Sequence, residues 1–259
     1  MPSELLTERR GATLVLTISD PATRNTLSAQ VIAAGIEALD SSESNDEVRA
    51  VVLRGDGDHF CAGGNLHGLL ERRLAGPDVQ RRMLEHLHQW IEAIRAYPKP
   101  VIAAVEGAAA GAGFSIALAC DLIVAAEDAR FTMSYGKLGF TPDGGATWSL
   151  VRALPRPFAQ RLLWLAEPVT ASVLYGHGVV TAVTPPGSAL AEALTLTERL
   201  AAMAPNAVAC TKELLEQAPR RTLHEQLGVE RDQFIDKLFH PNGEEGLNAF
   251  LEKRPPRFR

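Results

Sequence analysis

Apolar and polar positions alternate near the start of the chain. Leu14, Leu16 and Ile18 are separated by single residues, which is the spacing of a strand with one face against a core. A shorter stretch at residues 5–9 precedes them, and Arg10-Gly11 supplies a turn between the two. The pattern therefore predicts a β-hairpin made of residues 5–9 and 13–19.

Helical and strand patterns then alternate along the chain. Ser28 is a suitable N-cap for a helix that runs to about residue 41, and a longer helix is predicted at residues 78–96. Three short segments contain apolar runs that are typical of strands buried on both faces: residues 49–54, which hold AVVL, residues 101–105 and residues 122–126. Strands that alternate with helices and end in glycine-rich loops predict an α/β fold with parallel pairing.

The last part of the chain has a different pattern, with no strand signal after about residue 190. Helices are predicted there at residues 189–204, 206–218, 222–238 and 244–253. We therefore expect an α/β core over residues 1–190 and a helical segment over residues 191–259. Leu223, Leu227, Phe234 and Leu238 follow a helical spacing that indicates helix core or a subunit interface.

Composition and charge narrow the class of protein. With 259 residues, of which 46% are hydrophobic and 22% charged, the chain is neither disordered nor collagen-like. The net charge is −5, and the basic residues are 5 lysines and 21 arginines. Because the sequence contains no stretch in which these basic residues cluster, we expect no nucleic-acid partner. Three cysteines lie far apart, which favours reduced thiols in a cytosolic protein: Cys61, Cys120 and Cys210.

We also expect no signal peptide and no membrane span. The first ten residues carry charges where a signal peptide needs an apolar core. The longest apolar stretch, residues 101–126, is interrupted by Glu106 and Asp121, whereas a membrane span needs about 20 apolar residues. The expectation is a soluble, cytoplasmic protein.

Two loops rich in small residues each follow a predicted strand. The first is HFCAGGNL at residues 59–66, and the second is EGAAAGAGF at residues 106–114, which leads into a helix. Small residues and a helix N-terminus leave N–H groups free to bind an anion. Two such loops at neighbouring strand ends can form an oxyanion hole for a carbonyl that becomes an enolate. The second loop lacks the third glycine of a dinucleotide fingerprint, and the seven histidines form no set of metal ligands.

Together the two loops resemble the oxyanion-hole segments of the enoyl-CoA hydratase/isomerase (crotonase) family. Three further stretches agree with that family in the same order along the chain: DPATRNTLS at 20–28, ACDLIVA at 119–125 and EGLNAFLEKR at 245–254. The resemblance implies the crotonase fold, a spiral of ββα units with a C-terminal helical segment. It also implies an acyl-CoA thioester as substrate, no permanently bound cofactor, and assembly as a homotrimer or homohexamer.

The resemblance assigns roles to individual positions. By position, the oxyanion donors are the N–H groups of Ala62 and Ala112. Further residues are expected to line the acyl-CoA site: Gly63, Gly64, Asn65 and Gly111. The family's C-terminal aromatic residue and lysine, which often reach a neighbouring subunit's coenzyme A, fall on Phe250 and Lys253.

The carboxylates decide which reaction is expected. Hydratases of this family hold a water between two glutamates, and those positions are Ser115 and Tyr135 here. Neither side chain is a general base at neutral pH. Asp143 matches the position where isomerase members carry their single acid, and one carboxylate can move a proton between two carbons of an acyl chain. We expect Asp143 to do so with a pKa raised by apolar walls such as Phe140 or Trp148.

Other interpretations stay open at this point. One alternative role for Asp143 is that of the N-cap of a helix at residues 144–154. Within the family, hydration is the alternative, as is a hydrolytic or ring-opening reaction on an aromatic-derived CoA ester. From other classes, Ser115 in GFSIA approximates the nucleophile of a serine hydrolase, and a non-catalytic acyl-CoA binder has the same loops. Cys61, Glu106 and Asp121 are interpreted as structural residues.

Overall fold

A computed structural model describes residues 3–259, so Met1 and Pro2, with which the charged N-terminal segment begins, lie outside the described residues. The strands are β1 (Glu4–Arg10), β2 (Thr13–Ser19), β3 (Ala50–Gly55), β4 (Val101–Val105), β5 (Ala108–Ala110), β6 (Leu122–Ala126), β7 (Arg130–Thr132), β8 (Val169–Thr170) and β9 (Ala182–Thr184). The helices are α1 (Ala29–Glu43), α2 (Leu66–Ala75), α3 (Pro77–Ala96), α4 (Ala112–Ala119), α5 (Ala146–Ala153), α6 (Arg156–Leu165), α7 (Ala171–Gly176), α8 (Ala189–Ala201), α9 (Pro205–Gln217), α10 (Leu223–Leu238) and α11 (Pro241–Leu251).

A six-stranded sheet in the order β1-β2-β3-β4-β6-β9 forms the centre of the molecule. The predicted hairpin is confirmed, since β1 pairs with β2 antiparallel, and the remaining neighbours in this sheet pair in parallel. Successive side chains of a strand point to opposite faces of the sheet. The apolar runs are buried because a core cluster covers each of these faces. Val51 and Leu53 belong to the larger core cluster, whereas Val52 between them belongs to a smaller cluster that also contains Ala189 and Ala193 of α8.

A second, three-stranded sheet was not predicted from the sequence. Its order is β5-β7-β8, and none of its strands exceeds three residues. Strand β5 consists of Ala108–Ala110 and lies inside the glycine-rich loop. Segments of two or three residues are too short to show an apolar alternation, so only their pairing partners identify them as strands.

The predicted helices form, with shifted ends. Ser28 caps α1 by accepting the N–H of Val31 at 3.2 Å, and the helix predicted at residues 78–96 is α3. The predicted C-terminal helices correspond to α8 to α11, and α8 crosses the proposed boundary at residue 190, which stays a prediction. Within residues 3–259, no helix combines the length and apolar character needed to cross a bilayer.

Candidate active site

Backbone hydrogen bonds hold the two small-residue loops side by side. The N–H of Cys61 donates to the carbonyl of Ala108 at 3.0 Å, and the N–H of Ala110 donates to the carbonyl of Cys61 at 2.9 Å. Cys61 therefore forms a parallel bridge with Ala109 at the edge of β5. This pairing brings together two segments that lie about 50 residues apart in the chain.

Each loop turns away from this pairing at a glycine. Gly63 has φ 88° and Gly111 has φ 52°, a region that favours glycine. A Cβ atom on Gly63 would lie 2.6 Å from the carbonyl oxygen of Ala110 and 3.2 Å from the nitrogen of Ala112. The backbone at Gly63 thus lies against the first residue of α4, with no room for a side chain.

Of the two N–H groups that the sequence predicted as oxyanion donors, only one is free of a main-chain acceptor. The N–H of Ala62 donates to the carbonyl of Arg24 at 2.9 Å, so the prediction that Ala62 supplies an oxyanion donor is wrong. The N–H groups of Gly64 and Ala112 have no acceptor anywhere in residues 3–259. Ala112 is the first residue of α4, where an N–H group has no partner inside the helix.

A carboxylate lies beside the second loop. The hydroxyl of Tyr135 donates to Oδ1 of Asp143 at 2.6 Å, and the hydroxyl of Ser115 donates to the main-chain carbonyl of Asp143 at 3.1 Å. A Cβ atom on Gly111 would lie 3.7 Å from the hydroxyl oxygen of Tyr135. Ser115, Tyr135 and Asp143 therefore meet next to the turn that precedes the free N–H of Ala112.

Asp143 does not cap a helix. The helix that follows it, α5, begins at Ala146 with Gly145 as its N-cap residue and no side-chain cap. Gly144 and Gly145 both have positive φ, 58° and 75°, and turn the chain between the carboxylate and the helix. The N-cap interpretation is wrong because these two residues set Asp143 outside the first helical turn.

The pKa values of Asp143 and Tyr135 are both raised, mainly by burial. For Asp143, the hydrogen bond from Tyr135 and the electrostatic effect of the nearby His88 side chain act in the opposite direction and lower the pKa. For Tyr135, the negative charge of Asp143 adds to the effect of burial and raises the pKa further. Tyr135 is therefore a protonated donor, and Asp143 is a weaker acid than an exposed aspartate.

The surroundings of Asp143 differ in part from the expectation. Phe140 is 49% exposed, and the ring of Trp148 lies under two arginine guanidinium groups. A Cβ atom on Gly144 would lie 3.8 Å from Cδ2 of Leu87 on α3. Leu87 is buried, so α3 supplies apolar contact at this turn.

Comparison with known proteins shows the family to which the chain belongs. The family model described as enoyl-CoA hydratase/isomerase matches residues 8–259. The chain belongs to the enoyl-CoA hydratase/isomerase family. It is 33% identical to the 2,3-dehydroadipyl-CoA hydratase of Escherichia coli over 99% of both chains. It is 32% identical to the 1,2-epoxyphenylacetyl-CoA isomerase of the same organism, over 95% of this chain and 94% of that one.

The fold of the family is shown as well. The crystal structure of an enoyl-CoA hydratase from Polaromonas sp. JS666 matches with a TM-score of 0.98 at 53% identity, covering 99% of this chain and 100% of that one. The protein therefore has the crotonase fold and is an enzyme of the enoyl-CoA hydratase/isomerase family. An acyl-CoA substrate is consistent with membership of this family. Most of these relatives are named hydratases.

Several polar residues of this enoyl-CoA hydratase/isomerase family member serve the structure. Glu106 accepts the N–H groups of Gly187 and Ala189 at 3.0 and 2.9 Å and so holds the start of α8. Asp121 accepts the N–H of Val101 at 2.8 Å and pairs with Lys212. Burial raises the pKa of Cys61 to about 12. In the part of the chain that the structure describes, no His, Cys, Asp and Glu side chains cluster as metal ligands.

Ser115 does not have the environment of a hydrolase nucleophile. Its hydroxyl is buried, and its single proton has only main-chain carbonyls within reach, that of Asp143 at 3.1 Å and that of Gly111 at 3.3 Å. A nucleophilic serine needs a base that accepts its proton, and no histidine of the described residues hydrogen-bonds to Ser115. The serine-hydrolase interpretation has no support in this geometry.

The other residues expected at the acyl-CoA site are Asn65, near the end of the first loop, and Phe250 and Lys253, at the end of the chain's last helix. Asn65 caps α2 by accepting the N–H of Gly68 at 3.1 Å. Phe250 is 82% exposed near the end of α11, and Lys253 follows that helix with φ 54°. No hydrogen bond among residues 3–259 joins either of them to the loops, so a contact with coenzyme A stays a prediction.

Proposed function

We propose that the protein shifts a carbon–carbon double bond in an enoyl-CoA thioester. Asp143 is the single acid/base, and the N–H groups of Gly64 and Ala112 stabilise the negative charge on the thioester oxygen. The observation that carries this proposal is the carboxylate of Asp143 next to the turn at Gly111, which precedes the free N–H of Ala112, without a second carboxylate at positions 115 and 135. In this proposal the N–H of Gly64 replaces the N–H of Ala62 as the oxyanion donor of the first loop.

The two N–H donors stabilise the negative charge that develops on the thioester oxygen during the reaction. Removing a proton from the α-carbon of a thioester places negative charge on the thioester oxygen, and donors aimed at that oxygen lower the barrier. Loss of one such donor typically reduces turnover by about 10²–10³. Because main-chain groups supply the donation, an alanine at position 112 serves as well as a glycine.

One carboxylate oxygen is sufficient for the proton transfer. Oδ1 of Asp143 accepts the hydroxyl of Tyr135, while no side chain of another described residue hydrogen-bonds to Oδ2. Oδ2 takes the proton from the α-carbon, which leaves a dienolate delocalised over the acyl chain. It then returns the proton to the γ-carbon, so the atoms balance and no water is consumed. Coenzyme A enters and leaves with the substrate, and we propose no permanently bound cofactor.

Hydration is the second candidate, because the named relatives include the 2,3-dehydroadipyl-CoA hydratase of E. coli. It requires an activated water, and the two-glutamate mechanism has Ser115 and Tyr135 at its positions here. Asp143 would then be the only base. The 1,2-epoxyphenylacetyl-CoA isomerase of E. coli keeps open a related reaction on an aromatic-derived CoA ester.

The test is incubation of the enzyme with a panel of β,γ- and α,β-enoyl-CoA thioesters, followed by mass spectrometry and ultraviolet absorbance. Isomerisation changes absorbance and retention but leaves the mass unaltered, whereas hydration adds the mass of one water. We expect Asp143→Asn to lose at least about 10² in turnover while its binding of the same thioester, measured by calorimetry, is kept. A hydrated product, or an Asn variant with wild-type turnover, contradicts the proposal.

Self-assembly is part of the proposal. Large apolar side chains are exposed on the C-terminal helices, including Leu223, Phe234, Phe239 and Phe250 at 75, 68, 82 and 82%. An exposed apolar surface of this kind favours a protein interface. A homotrimer or homohexamer would cover it and would bring Phe250 and Lys253 towards the coenzyme A of a neighbouring subunit. We further propose that the enzyme acts in the cytoplasm.

A further inference from the structure

We infer that Tyr135 is a positioning residue: its hydroxyl fixes Oδ1 of Asp143 and leaves Oδ2 as the oxygen that carries the proton. The inference rests on the proposed isomerase function and names a residue that this function needs besides the carboxylate. Tyr135 acts through Asp143, because its hydroxyl donates to the carboxylate at 2.6 Å.

The tyrosine itself is held in place. It lies in a short 3₁₀ helix, Ser134–Leu138, that ends at Gly139 with φ 73°. Its carbonyl accepts the N–H of Phe140 at 3.0 Å, and its side chain lies against Gly111 of the second loop. Only 9% of Tyr135 is exposed, so the hydroxyl cannot turn to solvent without disturbing this packing.

Two hydrogen bonds hold Asp143, one at its main-chain carbonyl and one at its carboxylate. Ser115 binds the main-chain carbonyl and so fixes where the residue lies. Tyr135 binds the side chain and so fixes how the carboxylate is rotated. Without the tyrosine hydroxyl, the carboxylate is free to rotate about its last torsion, since that torsion is broad for aspartate. The reacting oxygen is then less often in line with the acyl chain, which lowers turnover.

The same hydrogen bond has an electrostatic effect. Burial raises the pKa of Asp143, and the hydrogen bond from Tyr135 lowers it again. The phenol remains protonated because burial and the charge of Asp143 both raise the pKa of Tyr135. Removal of the hydroxyl therefore shifts Asp143 towards its protonated form, which cannot accept the substrate proton.

The test compares Tyr135→Phe with a matched control, Tyr97→Phe. Tyr97 is also buried, at 3% exposure, and its hydroxyl also makes one side-chain hydrogen bond, to Ser42 at 2.8 Å. Two measurements are made on the full-length enzyme: the pH profile of kcat/KM for isomerisation, and the titration of the Asp143 carboxyl carbon by ¹³C NMR. Circular dichroism checks that each variant is folded.

For Tyr135→Phe we expect the acidic limb of the profile and the NMR midpoint to move up by about one pH unit. We expect kcat to fall at least about tenfold on the alkaline side of that limb, with KM little changed. Tyr97→Phe should move neither midpoint. If the variant does not fold, 3-fluorotyrosine at position 135 keeps the packing and donates more strongly, so it should lower the midpoint.

The outcomes separate the two proposals. An isomerase in which Tyr135→Phe alters neither kcat nor either midpoint overturns the role of Tyr135. A wild-type enzyme without isomerase activity overturns the proposed function, even if the NMR midpoint of Asp143 moves as expected. Equal shifts in Tyr135→Phe and Tyr97→Phe assign the effect to general loosening of the core and overturn the inference.

Discussion

At the residue scale, the enzyme keeps an acidic group in an unfavourable environment. Asp143 is partly buried, and burial raises its pKa despite the hydrogen bond from Tyr135. A base with a raised pKa accepts a proton from carbon more readily than an exposed aspartate does. The chemistry proposed for this residue and a loss of stability therefore have the same physical cause.

That cause predicts a stabilising substitution. A carboxyl whose pKa is raised on folding stabilises the protein below its unfolded pKa, near 3.9, and loses this contribution as the pH rises through the folded pKa. At pH 7 the ionised Asp143 is thus a destabilising group. Asp143→Asn should raise the free energy of unfolding at about pH 7.

Urea denaturation of wild type and Asp143→Asn at about pH 7 and about pH 4 measures this difference. The gain should be smaller at the lower pH, because the raised pKa of Asp143 in the folded state favours its uncharged form there, and close to half of the unfolded chains are protonated as well. Asp128→Asn is the control, because Asp128 is exposed and its charge is not buried on folding. A variant that is less stable than wild type at pH 7 contradicts the prediction.

At the scale of elements, the alignment of two loops determines whether the donors converge. The bridge between Cys61 and Ala109 places the loops side by side, and the turns at Gly63 and Gly111 direct the following N–H groups out of the pairing. Strand β5 is the element that makes this possible. It is three residues long, and its register depends on its neighbours rather than on its own side chains.

Gly63→Ala tests this alignment. The added methyl group would meet the carbonyl oxygen of Ala110 at 2.6 Å, so the loops must move apart. We expect kcat/KM to fall by about 10²-fold, as when an oxyanion donor is lost, in a steady-state assay with an enoyl-CoA substrate.

Gly57→Ala is the matched control for this substitution. Gly57 also has a positive φ, 67°, but an added Cβ would meet nothing within 4 Å. Both variants carry backbone strain of about 1 kcal/mol, and only Gly63→Ala should lose activity. Equal activities in the two variants would show that the loop spacing is not critical.

At the scale of the whole molecule, the C-terminal helical segment exposes large apolar side chains. In α10, the positions predicted as helix core or interface are exposed, with Leu227 at 55% and Leu238 at 38%. They do not form a core within this chain, so the interface interpretation is the one that stands as a prediction. Burial of such side chains contributes about 25 cal/mol per Å².

Phe234→Glu should therefore weaken self-assembly. A charge in the centre of an apolar interface costs several kcal/mol when it has no partner, so the variant should dissociate at concentrations where wild type is oligomeric. Sedimentation velocity measures this directly. His224→Glu introduces the same charge at an exposed polar position of α10 and serves as the control. A wild-type monomer, or an unaltered oligomer of Phe234→Glu, contradicts the prediction.

The resemblance to the crotonase family implied Asp143 as the single acid of the proposed site. The sequence by itself determined the α/β class, the buried strands β3, β4 and β6, the hairpin and the C-terminal helices. These follow from apolar periodicity and residue chemistry, which are local properties of the chain. The second sheet, the pairing of Tyr135 with Asp143, and the replacement of Ala62 by Gly64 as a free donor were decided only by the tertiary structure. The direction of an N–H group depends on which distant carbonyl accepts it, and Arg24 accepts that of Ala62. No pattern of neighbouring residues contains that information.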